Sequence, residues 1–168
     1  EILELAKTNN LTFRQQMNLM FNKVCKLKNE YQSIINEYCN KYEVINKYGF
    51  HIRQTDRYVG GKGLIYAGPN LDTITTHLIN KSIKDFYLAT DCTDTYCLLS
   101  NKFNCYSYAT VRSQGIKGIH ENNNINGNNK LKGEEALIEA FLLSKCKHLY
   151  RVTSNFTIFS LIINPNIS

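Results

Sequence analysis

Gly49-Phe50-His51-Ile52-Arg53-Gln54-Thr55-Asp56-Arg57 reads as a short apolar strand that runs straight into a cluster of His, Arg and Asp. A strand that ends in cations and a carboxylate presents an anion-binding arrangement at its tip. The sequence downstream repeats the pattern of strand, polar turn and helix. Asp85-Phe86-Tyr87-Leu88-Ala89 predicts a buried strand, Cys105 to Ala109 another, and His148 to Val152 a last one. Between them, Leu71, Ile74, Leu78 and Ile79 outline a helix capped by Asn70, and Thr93 to Ser100 a short helix. A longer helix runs from Glu134 to Lys145, and an apolar helix follows Ser154 until Pro165 ends it. Such alternation predicts an α/β fold: a Rossmann-like parallel sheet with helices on both faces.

Upstream of the opening stretch the pattern is helical. Thr12 with Gln15 forms a capping-box pair. Met17, Met20, Val24, Leu27, Tyr31, Ile34 and Tyr38 then recur at steps of three and four, which predicts one long amphipathic helix of about six turns. The helix is read as packing surface and carries no chemistry. The chain is therefore divided into a helical lead-in over 1–47 and an α/β domain over 48–168. The run from Glu121 to Asn129, dominated by Asn, is read as loop within a polar stretch that begins at Arg112.

Composition narrows the function classes. A chain of 168 residues is long enough for one domain with a sizeable core. No apolar run approaches the roughly 20 residues of a membrane-spanning helix. The net charge of +6 suits an anionic ligand, but the 20 basic residues are scattered and form no dense tract, so no nucleic-acid partner is expected. A basic nucleic-acid-binding α/β domain stays as a remote alternative. The six cysteines, at positions 25, 39, 92, 97, 105 and 146, include no Cys-x-x-Cys spacing. They are read as reduced, structural thiols without a zinc site, although Cys92 and Cys97 are close enough in sequence for a disulfide.

In a parallel sheet, ligands bind beyond the carboxyl ends of the strands, which singles out Arg53 and Asp56, Asp91, and Thr153-Ser154-Asn155. Arg53 offers a planar fork of donors suited to two phosphate oxygens; the competing reading is a surface salt bridge with Asp56. Ser154 stands where a strand gives way to a helix, so it either contacts an anion or simply caps the helix. Glu139 sits in Ala136-Leu137-Ile138-Glu139-Ala140-Phe141-Leu142-Leu143, a helix with few polar neighbours. Either it faces solvent, or it is a buried carboxylate that requires a partner. Gly60-Gly61-Lys62-Gly63 lacks the strand-to-helix setting of a P-loop and is read as a turn. His77 is placed on a helix surface.

Three of these stretches, in order and spacing, resemble the signatures HxRxTD, LATD and "LID…LLS…SSN" of the fucosyltransferases that include the α1,6-fucosyltransferases and the nodulation fucosyltransferases. They are His51 to Asp56, Leu88 to Asp91, and Glu135 through Ser144 to Thr153-Ser154-Asn155. The resemblance extends from Gly49 to Pro165. It implies the C-terminal, donor-binding domain of a two-domain GT-B enzyme, inverting and independent of metal, that transfers fucose from GDP-fucose to a glycan hydroxyl. In that family the Arg matching Arg53 binds the β-phosphate, and main chain near the residue matching His51 meets guanine. Ser at the Thr153/Ser154 position binds phosphate, and an Asp at the position of Glu139 reads guanine, whose N1–H and exocyclic amine match the two oxygens of a carboxylate.

The sequence departs from the family pattern at Gln54, where many members carry a second Arg, and at Cys92, which replaces the second acid after Asp91. Gly61 falls where the α1,6-enzymes place an acid, and His120 resembles the His of a "GLH" motif. The expectations are thus Arg53, Asp56 and Asp91 as catalytic residues, and His51, Arg53, Glu139, Thr153 and Ser154 around the donor. No metal or other cofactor is expected beside GDP-fucose. The partners are a GDP-sugar, a glycan acceptor and an N-terminal acceptor domain supplied in cis or in trans. The alternative is a GDP-sugar-binding module without turnover.

Overall fold

The computed structural model describes residues 10–55, 70–114, 119, 129–152 and 154–168. Asp56, Arg57, the glycine run 60–63, His120 and Thr153 lie outside the described residues. Four strands, β1 (Tyr48–Ile52), β2 (Asp85–Thr90), β3 (Asn104–Tyr106) and β4 (His148–Arg151), form one parallel sheet in the order β3-β2-β1-β4. Helices α3 (Leu71–Asn80), α4 (Thr93–Ser100), α5 (Asn129–Lys145) and α6 (Asn155–Ile163) connect or follow the strands, with α5 beginning at Asn129 and not at the expected Glu134.

The strand pleat explains the two cores. Phe50, Ile52, Phe86 and Leu88 point to one face and pack with Ile74 and Leu78 of α3 and Leu99 of α4. Tyr87, Ala89 and Leu149 point to the other, against Ile138, Phe141 and Leu142 of α5. Both faces are therefore covered, which is why the strands read as continuous apolar runs. At Gly49 the end of α5 comes close to the sheet, and the missing side chain leaves room for Leu143 and for Cys146 just beyond the helix.

The structure corrects the expectations for the first helix, the third strand and His77. The predicted long first helix is two helices, α1 (Phe13–Val24) and α2 (Asn29–Tyr42), with Cys25 extended between them at φ −112° and ψ 126°. The Thr12–Gln15 capping box does form at the start of α1. The apolar stripe is not one stripe, since Met20 and Val24 are exposed while Phe21 packs edge-on against Phe159 of α6 at 5.5 Å. Helix α2 instead places Ile35 and Tyr38 on the core beside α5. One straight helix cannot serve both α6 and α5, and the break redirects it.

The third strand is the next correction. It stops at Tyr106 and does not reach Ala109, because the N–H groups of Ala109, Thr110 and Val111 donate to carboxylates of α5 and not to a neighbouring strand. His77 is half-buried, its ring 5.0 Å from that of Tyr150, and does not lie freely on the surface. All six cysteines are free thiols. Among the described residues no helix is long and apolar enough to cross a membrane.

Candidate functional site

The strand order creates the site. From β1 the chain adds β2 and then β3 on one side, whereas β4 pairs with the opposite edge of β1. Connections leaving β1 and β4 must diverge, and the crevice between them at the carboxyl ends is where open α/β sheets hold ligands. Beside that crevice, a pocket of about 190 Å³ opens at the carboxyl ends of β1 and β2, walled by α5 and by Phe156 of α6. Three small residues, Ala89, Ala109 and Ala136, are part of its lining. His51, Arg53, Asp91 and Glu139 all line it, so side chains far apart in sequence meet at one cavity.

His51 is the last inward-facing residue of β1, paired with Ala89 across the strand, and is buried. Its ring stacks on Phe156 of α6, with centroids 4.9 Å apart and planes at 29°. Arg53 follows β1 directly, and its Nε lies 3.9 Å from Asp91 Oδ2. The same carboxylate organises the whole turn after β1. Asp91 Oδ1 accepts the Gln54 N–H at 3.0 Å, and Oδ2 accepts the Thr55 hydroxyl at 2.5 Å. The partly buried Asp91 therefore fixes the backbone that carries Arg53, and Gln54 contributes its main chain to that arrangement. Cys92, at the position of the family's second acid, is buried at the start of α4.

Glu139 is buried, which excludes the solvent-facing reading. Its Oε1 accepts from the Ala109 N–H at 3.2 Å and from the Ser107 hydroxyl at 3.4 Å; among the described residues Oε2 has no hydrogen-bond donor. Burial pushes its carboxyl up to about 8, against the partial relief given by the Ala109 N–H, the Arg112 charge and Ser107, while Glu135 adds to the rise. Arg112 is held in turn, its Nη2 donating to Ser107 and its guanidinium lying 4.2 Å from the Tyr96 ring centroid.

Ser154 is buried and caps α6. Its hydroxyl accepts the Thr157 N–H at 3.2 Å, and Thr157 Oγ1 accepts the Ser154 N–H at 3.3 Å. It does not line the pocket, although Phe156 two residues on does. Of the expected residues, the structure brings together His51, Arg53, Asp91 and Glu139 and sets Ser154 beside them.

Sequence reasoning missed two contributors. Glu135 spends both oxygens on the segment after β3, Oε1 accepting the Thr110 N–H at 3.0 Å and Oε2 the Val111 N–H at 3.0 Å. It stands four residues before Glu139, so the two carboxylates share one face of α5, a spacing visible in the sequence. Lys132, one turn earlier, lines the pocket and donates to the Ile119 carbonyl at 3.2 Å. Among the described residues no three His, Cys, Asp or Glu side chains gather as metal ligands would.

No family model matches the sequence, and no curated protein matches it. Solved structures do. The fold is similar to that of NodZ α-1,6-fucosyltransferase soaked with GDP-fucose, with a TM-score of 0.60 and 19% identity over 92% of this chain and 48% of that one. A structure of the same enzyme co-crystallised with GDP is similar at a TM-score of 0.55 and 16% identity, over 84% of this chain and 43% of that one. The fucosyltransferase NodZ from Bradyrhizobium gives 0.52 and 18%, over 80% and 42% of the two chains. The chain thus has a fucosyltransferase-like fold and spans about half the length of these neighbours.

Proposed function

We propose that the pocket binds GDP-fucose and that the chain is the donor-binding part of a fucosyltransferase that acts with inversion and without a metal. The observation that carries this reading is Glu139, a buried carboxylate in the pocket wall with one oxygen lacking a donor among the described residues. In its ionised form a group of that kind costs several kcal/mol unless a partner satisfies it. Guanine presents two parallel donors, whereas adenine and uracil do not. Arg53 at the same pocket supplies the charge for the diphosphate, and the structural neighbours were solved with GDP-fucose and with GDP.

Transfer breaks the bond between fucose C1 and the β-phosphate oxygen, and the electron pair leaves with GDP. Arg53 would stabilise the charge that builds on the β-phosphate as this happens. In this reading a further phosphate contact would come from Ser154, which follows β4 and caps α6, or from Thr153. The acceptor hydroxyl would attack C1 from the opposite side and lose its proton to a base. Asp91 is committed to Gln54 and Thr55, so its role in this reading is to position Arg53; the base would be Asp56 or a residue of the acceptor domain.

That commitment of Asp91 also favours a second reading, a GDP-sugar-binding module without turnover. Thermal-shift measurement with GDP, GDP-fucose, UDP, ADP and CMP tests both. A ligand at 100 times its dissociation constant adds ~2.7 kcal/mol of stability. Stabilisation by GDP and GDP-fucose alone is expected; equal response to all five nucleotides, or to none, would overturn the guanine site.

A further inference from the structure

We propose that Lys132 binds the phosphate next to the ribose, so that the nucleotide lies along α5 with its base at Glu139 and its phosphates at the pocket mouth. The inference rests on the guanine-site reading above and adds to it an orientation and a second cation. Lys132 and Glu139 are seven residues apart on one helix, two turns and roughly 10 Å along the axis, and therefore on nearly the same face. Both line the pocket. That span matches the reach from the pairing edge of a purine to its 5′-phosphate.

The surroundings of Lys132 support the assignment. Its side chain is half-buried, and its ammonium donates to one carbonyl, that of Ile119, among the three bonds an ammonium can make. No carboxylate is within ion-pair distance of it among the described residues. The nearest acid on its own helix face, Glu135, has both oxygens engaged by Thr110 and Val111. By contrast Lys130 pairs with Glu134 at 3.7 Å on a different face of α5. Lys132 is thus a cation at a pocket wall with two donors to spare among the described residues. Arg53 enters the same pocket from the end of β1, so the two cations approach a diphosphate from two different elements.

The arrangement separates the two cations by ligand. Arg53 faces the terminal phosphate of GDP, and Lys132 the one shared by GMP and GDP. Calorimetric titration of the full chain with guanosine, GMP and GDP, for wild type, Lys132→Met, Lys132→Arg and Arg53→Ala, reads this directly. Lys132→Met should weaken GMP and GDP by about tenfold or more and leave guanosine within about twofold, with Lys132→Arg restoring most of the loss. Arg53→Ala should weaken GDP and spare GMP. A loss with Lys132→Met that is equal for guanosine would make the lysine a mere counter-charge to Glu135 and Glu139 and would overturn the assignment. So would unchanged GMP affinity. If wild type binds none of the three ligands, it is the guanine site itself that fails.

Discussion

The Glu139 carboxyl titrates near 8 in the folded chain against an ordinary 4.5, with desolvation as the main cause. Between those values the folded chain keeps a proton that the unfolded chain releases, so folding is progressively disfavoured as pH rises from about 4.5 to about 8 and the penalty is constant above that. Glu139→Gln, neutral at every pH, should therefore leave melting unchanged near pH 4 and raise stability by an amount on the order of a few kcal/mol at pH 8.5. Thermal melts of the ligand-free proteins check this, and equal stability at both pH values would remove the buried-carboxylate account. Guanine needs the ionised form, so wild-type GDP affinity should rise as pH climbs towards 8. In Glu139→Gln the profile should flatten, and preference for GDP over ADP should shrink by ~1–3 kcal/mol. Arg53 makes the complementary case. Arg53→Ala should weaken GDP by ~2–4 kcal/mol with guanosine little changed, and equal losses for both ligands would point to misfolding.

Helix α5 is the element on which the site depends, because it carries Lys132, Glu135 and Glu139 and presses on β1 at Gly49. A β-carbon at Gly49 would fall 2.9 Å from Cys146 Sγ and 3.2 Å from Leu143 Cδ2, both buried side chains with no room to retreat. Gly49→Ala should cost ~1–3 kcal/mol through overpacking and should also weaken GDP, since the helix must shift away from the sheet. Gly133 on the same helix has nothing within 4 Å of the corresponding position. Gly133→Ala should stabilise by ~0.5–1 kcal/mol through helix propensity. Chemical denaturation of the two variants tests the pair, and a neutral Gly49→Ala would mean that the contact at β1 is looser than drawn.

At the scale of the molecule, one sheet and its helices form a pocket at the strand ends, and the chain spans about half of the neighbours whose fold it shares. Holding donor and acceptor together can be worth ~7–11 kcal/mol of barrier, which a donor pocket alone forfeits in large part. These 168 residues are therefore expected to bind GDP-fucose without transferring fucose efficiently. A transfer assay with acceptors containing N-acetylglucosamine or galactose, with and without an acceptor domain, decides the matter. Robust transfer by the 168 residues alone would show that they hold a complete site.

The sequence by itself determined the alternation of strands and helices, the apolar runs of β1 and β2, and the placing of His51, Arg53 and Asp91 at strand ends. These follow from periodicity and local turns, which a short window of residues fixes. Tertiary structure decided what those residues touch. Arg53 stands beside Asp91 from the end of another strand, Glu139 and Glu135 take the N–H groups of Ala109, Thr110 and Val111 beyond the third strand, and the first helix breaks to serve two partners. Ser154 was open between cap and ligand, and packing gave its hydroxyl to Thr157. Such choices depend on which distant groups arrive within hydrogen-bond range once the core has closed, and no local pattern in the chain encodes that distance.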